Sequence, residues 1–283
     1  MTSSPVNLPY FDRILQLLAA GDPTAITAFG KHVHWGYWED PSHAQNTPAD
    51  FRHAAEQLTH EVYSAALVGD GQTVFDIGCG FGGTIASLNE QFTGMNLTGL
   101  NIDPRQLDQA RQNVTARPGN QITWVEGNAC ELPFADASCD RILAVECIFH
   151  FPDRRQFFQE AWRVLKPGGY LALSDFVPQA WFLPVTELNS TLSNDSGFYG
   201  QSNVQYSIET YRQLAADLGF QPHIERDITE NTLPTYDFLI QTGAKNGIDW
   251  SQWSAATQTL LIALVSRLHL VKYQILSYQK PIA

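Results

Sequence analysis

The sequence predicts an α/β protein whose core is a doubly wound, mostly parallel sheet, with helices ahead of it and an inserted helical lid behind it. Three observations carry this. Between about Thr73 and Phe176, five short apolar runs (TVFDIG, NLTGLNI, ITWVEG, RILAVEC and GYLALSDF) are bounded by Gly, Asn or Asp, as strands are. Helical patterns lie between them, and a strand followed by a helix, repeated, means right-handed crossovers and a parallel sheet. A glycine-rich turn, DIGCGFGG, follows the first run directly, at the carboxyl end where such sheets bind ligands.

Residues 1–68 read as an N-terminal helical cap. Phe11, Ile14, Leu15 and Leu18 follow helical spacing, as does Pro48 to Leu67, and the aromatic turn HVHWGYWEDP lies between them. Residues 69–176 form the core, with one helix from Thr84 onward, a second over Arg105 to Val114 behind Pro104, and a short turn at NACELP. Residues 177–205 are aromatic and polar without a sheet period, which fits a lid folded over the site. Residues 206–283 complete the sheet: a helix from Ser207 to Leu218, with Ser207 as N-cap and Gly219 as terminator, then a strand at PHIERDI. The tail from Ser251 reads as a C-terminal helix with Leu260, Leu264, Val265 and Leu268 on one face, for core packing or for a homodimer contact.

At 283 residues the chain buries a full core without disulfide staples. Its formal charge of −12, from 17 Lys plus Arg against 29 Asp plus Glu, and the lack of a basic run speak against nucleic acid as a substrate. Cys79, Cys130, Cys139 and Cys147 form no CxxC pair and sit in or beside apolar segments, so reduced, buried thiols and a cytoplasmic setting are expected. The N-terminus has no basic region ahead of an apolar stretch, and LLIALVSRLHLVKYQIL is broken by Arg267, His269 and Lys272; neither a signal peptide nor a membrane span is expected.

Gly78, Gly80 and Gly82 place a glycine at every second position after the first strand, without the lysine and hydroxyl of a phosphate loop. Gly78, Gly80 and Gly83 satisfy GxGxxG, a weak signal alone. Asp76 decides against a pyrophosphate: a carboxylate there repels phosphate and accepts from an ammonium, so the ligand should carry a cation. His32 and His34 lack a third ligand at sensible spacing, so no metal is expected.

The stretches VFDIGCGFGG, TGLNIDPRQLDQA, WVEGNACELPFADASCDRILAVECIFHFPD and EAWRVLKPGGYLALSDF together resemble the class I S-adenosylmethionine-dependent methyltransferases, over roughly a hundred residues in the family's order and spacing. HWGYWE, ECIFHF and RDITENTLPT are similar to the small-molecule subgroup that includes tocopherol, sugar and natural-product methyltransferases. The resemblance implies a seven-stranded, Rossmann-like methyltransferase fold and S-adenosyl-L-methionine as cofactor. It places Asp76 near the cofactor's ammonium, with the Gly78 and Gly80 backbone in contact. Asn101 stands where the family has an acid that accepts the ribose hydroxyls; Gln106 would add a ribose contact, and Asp103 is the competing carboxylate. Asn128 stands where an aspartate commonly meets the adenine amino group, with Ala129 and Leu132 flanking the purine. Tyr37, with Trp35 and Trp38, would close over the sulfonium; the alternative is an apolar plug.

Methyl transfer is an in-line displacement at sulfonium, so the protein aligns the acceptor and takes its proton. His150, closing the fourth strand in AVECIFHF, is the candidate base, or else a packed histidine. Glu146 on the same strand would orient or polarise the acceptor. Asp175 is a reserve base, with a plain turn residue the better reading. Trp181, Phe182, Phe198, Tyr199, Tyr236 and Phe238 suggest an apolar pocket, though each alone reads as core. The expected activity is methyl transfer to a small apolar or aromatic metabolite, at carbon or oxygen. Two alternatives stand beside it: an NAD(P)-dependent oxidoreductase, opposed by Asp76, Asn101 and the lack of a Tyr-x-x-x-Lys pair, and a non-catalytic binding protein, favoured by Asn101 and Asn128.

Overall fold

The structure, a computed structural model, describes residues 8–192, 197–200, 202–245 and 253–282. Helices α1 (Pro9–Ala19), α2 (Pro23–Phe29) and α3 (Pro48–Ala65) precede the sheet. The strands are β1 (Thr73–Ile77), β2 (Asn96–Asn101), β3 (Gln121–Glu126), β4 (Cys139–Val145), β5 (Leu165–Pro178), β6 (Gln221–Asp227) and β7 (Val271–Gln279). Crossover helices α4 (Gly83–Gln91), α5 (Pro104–Asn113) and α6 (Arg154–Val164) join the parallel strands, and β3 passes to β4 without one, as the NACELP turn implies. Helix α7 (Leu183–Leu192) lies in the expected lid segment; α8 (Ile208–Leu218), α9 (Thr229–Thr232), α10 (Pro234–Lys245) and α11 (Trp253–Arg267) follow.

The strand order is β3-β2-β1-β4-β5-β7-β6, with β1 to β5 parallel and β7 antiparallel to both its neighbours. This is the seven-stranded Rossmann-like sheet expected. Strand alternation divides its core: Phe75 and Ile77 of β1 join the layer with Phe157, Phe158 and Leu214, whereas Val74 joins the layer with Leu58, Val62 and Ile85. Asp76 is thereby aimed into the second, apolar layer. The order reverses between β1 and β4, and the crevice above that point is where a ligand fits.

The tail departs from expectation. Helix α11 stops at Arg267, His269 turns the chain at φ 52°, and Val271–Gln279 becomes the seventh strand instead of more helix. Strand β7 packs on both faces, Leu276 and Tyr278 in one core layer and Tyr273 and Ile275 in the other, so its burial does not alternate. Core packing of the α11 leucines is overturned as well: Leu260, Leu264 and Leu268 face solvent at 53–57 % exposure, and Ala263 and Ser266 are buried instead.

Asp175 serves the fold. Arg154, the first residue of α6, is fully buried and pairs with Asp175 at 2.7 Å, while Tyr211 of α8 donates to the same carboxylate at 2.5 Å. Two helices are thus tied to β5, and Asp175 does not face the crevice, which removes it as a reserve base. Arg154→Met should cost about 3–5 kcal/mol in urea unfolding, because it strands a buried anion, and Arg154→Met with Asp175→Leu should recover most of that loss.

Candidate active site

A cavity of about 930 Å³, its open mouth included, lies at the carboxyl ends of β1 to β4. The glycine loop forms its floor. Gly78, Gly80 and Gly82 hold φ values of 79°, 53° and 79°, a region that side chains with a Cβ rarely adopt. Their surroundings differ. A Cβ on Gly78 would lie 2.7 Å from that of Cys147, whereas one on Gly80 would meet nothing within 4 Å and project into open space. Backbone at Gly80 is therefore bare to a ligand.

Asp76 is 1 % exposed, and its Oδ2 has no hydrogen-bond partner. Burial pushes its carboxyl up to about 7, and a hydrogen bond from Thr84 offsets this only in part. A cation supplied from the cavity would satisfy the orphaned oxygen. The ammonium of S-adenosylmethionine is such a cation, and the open side of Gly80 leaves room beside it.

Further along the cavity, Asn101 donates from Nδ2 to Gln106 Oε1 at 3.0 Å and accepts from the Asp103 N–H at 3.0 Å. Both amides line the cavity, each with bonding capacity left for a hydroxyl. Asp103 does not line it; its carboxylate is held by Arg105, whose NH1 also reaches Asp12 of α1 at 2.8 Å. Asn128 and Ala129 line the cavity, with Asn128 Oδ1 accepting from the Cys130 N–H at 2.9 Å. Leu132 belongs to the core layer instead.

Helix α1 spans the mouth. Phe11 packs edge-on against Phe81 of the glycine loop, and the Tyr10 hydroxyl lies 3.2 Å from His150 Nε2. The Tyr10 N–H also bonds the Phe198 carbonyl at 3.0 Å, which joins the helix to the lid segment.

Behind α1 the segment 32–38 has no regular structure, yet four successive N–H groups are each held by a different partner. Trp35 donates to Glu146, Gly36 to Thr235 Oγ1 at 3.0 Å, Tyr37 to the Ala54 carbonyl and Trp38 to the Asn231 carbonyl. The segment is thereby fixed without a ladder. None of Trp35, Tyr37 and Trp38 lines the cavity: Trp38 is buried among Phe51, Ala54 and Phe238, and Tyr37 is half-buried elsewhere in the core. The plug alternative fits this cluster: Tyr37 does not line the cavity, whereas His32 and His34 do.

At the acceptor end, β4 stops at Val145. Glu146 follows at φ 49°, a conformation unusual for a side-chain-bearing residue, and His150 closes a 3-10 turn over Ile148–His150. Both had been expected on the strand; the turn instead brings both into the cavity lining. Glu146 is 8 % exposed and accepts from the Trp35 N–H at 3.1 and 3.0 Å and from the Tyr273 hydroxyl. Burial pushes its carboxyl up to about 8, outweighing those donors. Of the six lid aromatics, Tyr236 and Phe238 are core, Trp181 is 70 % exposed, Phe182 is half-buried against Trp181 and away from the cavity, and Phe198 and Tyr199 approach the cavity only through Tyr10.

Comparison with known proteins bears on this geometry. Residues 75–173 match the family described as a methyltransferase domain. The chain is 32 % identical to the methyltransferase GfsG of Streptomyces halstedii, over 86 % of this chain and 85 % of that protein. The chain belongs to the S-adenosylmethionine-dependent methyltransferases. It is also 33 % identical to the O-methyltransferase resE of Aspergillus sclerotiorum, over 73 % of this chain and 75 % of that one. Its fold matches geranyl diphosphate C-methyltransferase from Streptomyces coelicolor A3(2), solved with S-adenosyl-L-homocysteine, at a TM-score of 0.68 and 17 % identity over 99 % of both chains. The protein is thus an S-adenosylmethionine-dependent enzyme for small-molecule methylation, and the oxidoreductase and non-catalytic alternatives fall away.

The sequence missed Tyr10, His32, His34 and Thr84 as lining residues. Tyr10 falls just ahead of the helical apolar stripe used to find α1, and HVH was weighed only as a metal pair.

Two variants separate ligand space from fold space. Gly80→Ala should weaken S-adenosylhomocysteine binding at least ~10-fold by calorimetry, with only about 1 kcal/mol of stability lost to its positive φ. Gly78→Ala should instead lower the unfolding midpoint, because its Cβ overlaps Cys147.

Asp76 also carries a pH dependence. Its folded carboxyl keeps a proton up to about pH 7, and the unfolded one releases it near 3.8, so its contribution is full below pH 3.8 and is lost as pH rises through 7. At pH 8 the ligand-free Asp76→Asn variant should be more stable than wild type by roughly 2–4 kcal/mol in urea unfolding, while binding the cofactor far more weakly.

Proposed function

We propose that the acceptor is a small apolar or aromatic metabolite, methylated at oxygen or carbon, with His150 taking its proton and Glu146 orienting it. The observation that carries this reading is that both side chains leave β4 through a turn and line one cavity with Asp76 and Gly80. Leu8, Phe11, Phe81, Ile102 and Phe151 line it as well, which suits an apolar acceptor. One relative named an O-methyltransferase and a fold neighbour named a geranyl diphosphate C-methyltransferase agree with an acceptor at oxygen or carbon.

In this reading the cofactor supplies an electrophilic methyl group on a sulfonium, and this chain's residues do the rest. Asp76 holds the ammonium, and the Gly78 and Gly80 backbone lies under the aminoacyl part. Asn101 and Gln106 meet the ribose, and Asn128 and Ala129 meet the adenine. His150 accepts a proton at a ring nitrogen from an acceptor hydroxyl or activated carbon. Glu146, held neutral below about pH 8, donates a hydrogen bond without placing a second negative charge beside the acceptor. The cavity walls keep water from the sulfonium.

Cys79, Cys130, Cys139 and Cys147 are buried free thiols, which fits a reducing, cytoplasmic setting; among the described residues no helix is long and apolar enough to cross a membrane. The exposed leucines of α11 are the face we assign to a homodimer. The lid role of 177–205 rests on the Tyr10–Phe198 bond, and its residues 193–196 and 201 lie outside the described residues.

Incubating the enzyme with S-adenosylmethionine and a panel of phenols, polyketides and prenylated compounds should yield a product heavier by one CH₂ in mass spectra. His150→Ala should lower turnover about 10²–10⁴-fold while S-adenosylhomocysteine affinity stays within about twofold. Equal loss of both would make His150 structural, and turnover only with polar, charged acceptors would overturn the substrate class.

A further inference from the structure

We infer that Thr59 and His34 form a buried relay of positioning residues that fixes the main chain of Trp35 and, through it, the carboxyl group of Glu146. The relay bears on catalysis only if Glu146 serves the acceptor, as proposed above. Its links are continuous. Thr59 Oγ1 lies 3.1 Å from His34 Nε2, and His32, which donates from Nε2 to Glu56 Oε2 at 2.9 Å, packs beside that nitrogen. His34 Nδ1 donates to the Trp35 carbonyl at 2.8 Å, and the Trp35 N–H donates to both oxygens of Glu146.

Both imidazoles are buried, at 3 % and 9 % exposure, and the outer nitrogen of each is held by a protein acceptor. What they do is set by counting protons. A carboxylate and a carbonyl only accept, so His32 Nε2 and His34 Nδ1 must carry hydrogen. In a neutral pair the two inner nitrogens are then both bare. The Thr59 hydroxyl, 3.1 Å from His34 Nε2 and 3.4 Å from His32 Nδ1, can donate to one of them.

Burial supports the neutral assignment, since it pushes His34 down to about 3 and also lowers His32. With Thr59 donating to Nε2, His34 is locked in the tautomer that keeps Nδ1–H on the Trp35 carbonyl. Glu56 holds His32 in its Nε2–H tautomer: although burial alone would raise it, His32 and Lys31 hold its carboxyl far below the usual range. The relay matters because Trp35 lies in a segment with no helix or strand, and Glu146 relies on its N–H. The other groups facing Glu146 are Tyr273 on β7, Asp175 on β5, Tyr10 on α1, Tyr236 on α10, and Tyr199 and Cys147 on loops.

The test uses the protonated-carboxyl infrared band that Glu146→Gln removes, titrated in the full chain. In wild type its midpoint should lie near 8. His34→Leu cuts the relay at both nitrogens, and the carboxyl, still buried, loses the N–H that stabilises its anion; the midpoint should rise by about one pH unit or more. Thr59→Val removes only a hydroxyl and should give a smaller rise of the same sign, which keeps the test in hand if His34→Leu does not fold. His34→Asn, whose amide N–H can take the place of Nδ1–H, should restore the wild-type midpoint. A midpoint unchanged or lowered in His34→Leu and Thr59→Val would overturn the relay. The expected shifts in His34→Leu and Thr59→Val, together with full methyl-transfer activity in Glu146→Gln, would instead defeat the role of Glu146 and leave the relay standing.

Discussion

An unmet carboxyl group at the middle of the sheet governs this molecule. Asp76 sits on β1 between Gly99 of β2 and Leu143 of β4, in a layer of aliphatic and aromatic side chains, and neither ladder lets the strand move to relieve it. Burying a carboxyl with one oxygen unpartnered costs free energy that a protein with no ligand to gain would shed by substitution. Here the cost is retained, and the surroundings keep the site open to a cation: glycines at alternate positions lower the floor, and α1 and the 32–38 segment wall the crevice. A sulfonium cofactor with an ammonium enters a cavity holding two carboxyls whose protons are loosely kept, so its positive charge is itself a favourable term.

Rigidity of the wall comes from scattered single bonds. Segment 32–38 has no ladder of its own, yet its N–H groups reach β4, α10, α3 and α9 in turn. Each bond alone contributes on the order of 1 kcal/mol, but together they leave the segment no alternative path. The same principle operates on the other side of the sheet, where Arg154, Tyr211 and Asp175 tie α6, α8 and β5 through one buried cluster.

Much of this was legible in the sequence because the signals are local. The alternation of strands and helices, Ser207 and Gly219 as helix caps, and the glycine loop with Asp76 depend on neighbours in the chain, and the structure places them as read. Where pattern failed, the cause was tertiary. Strand β7 is covered on both faces and so shows no period of two, which made Val271–Gln279 look like the rest of α11. Glu146 and His150 were placed on β4 because nothing in VECIFH announces a left-handed turn at Glu146. Tyr37 lost its expected place because the chain leaves the cavity after His34: residues 31–34 line it, and Tyr37 packs against the core.

Gly83 has a meaning for how such proteins are assembled from parts. A Cβ on it would lie 2.3 Å from His32 Nδ1 and 2.6 Å from the Lys31 carbonyl, so the first turn of α4 has been hollowed to receive an imidazole from the N-terminal cap. Cap and core are therefore not freely interchangeable modules. A core taken from another protein with any larger residue at this place would refuse this cap, and a graft between relatives has to carry the joint from both sides, residue 32 with residue 83.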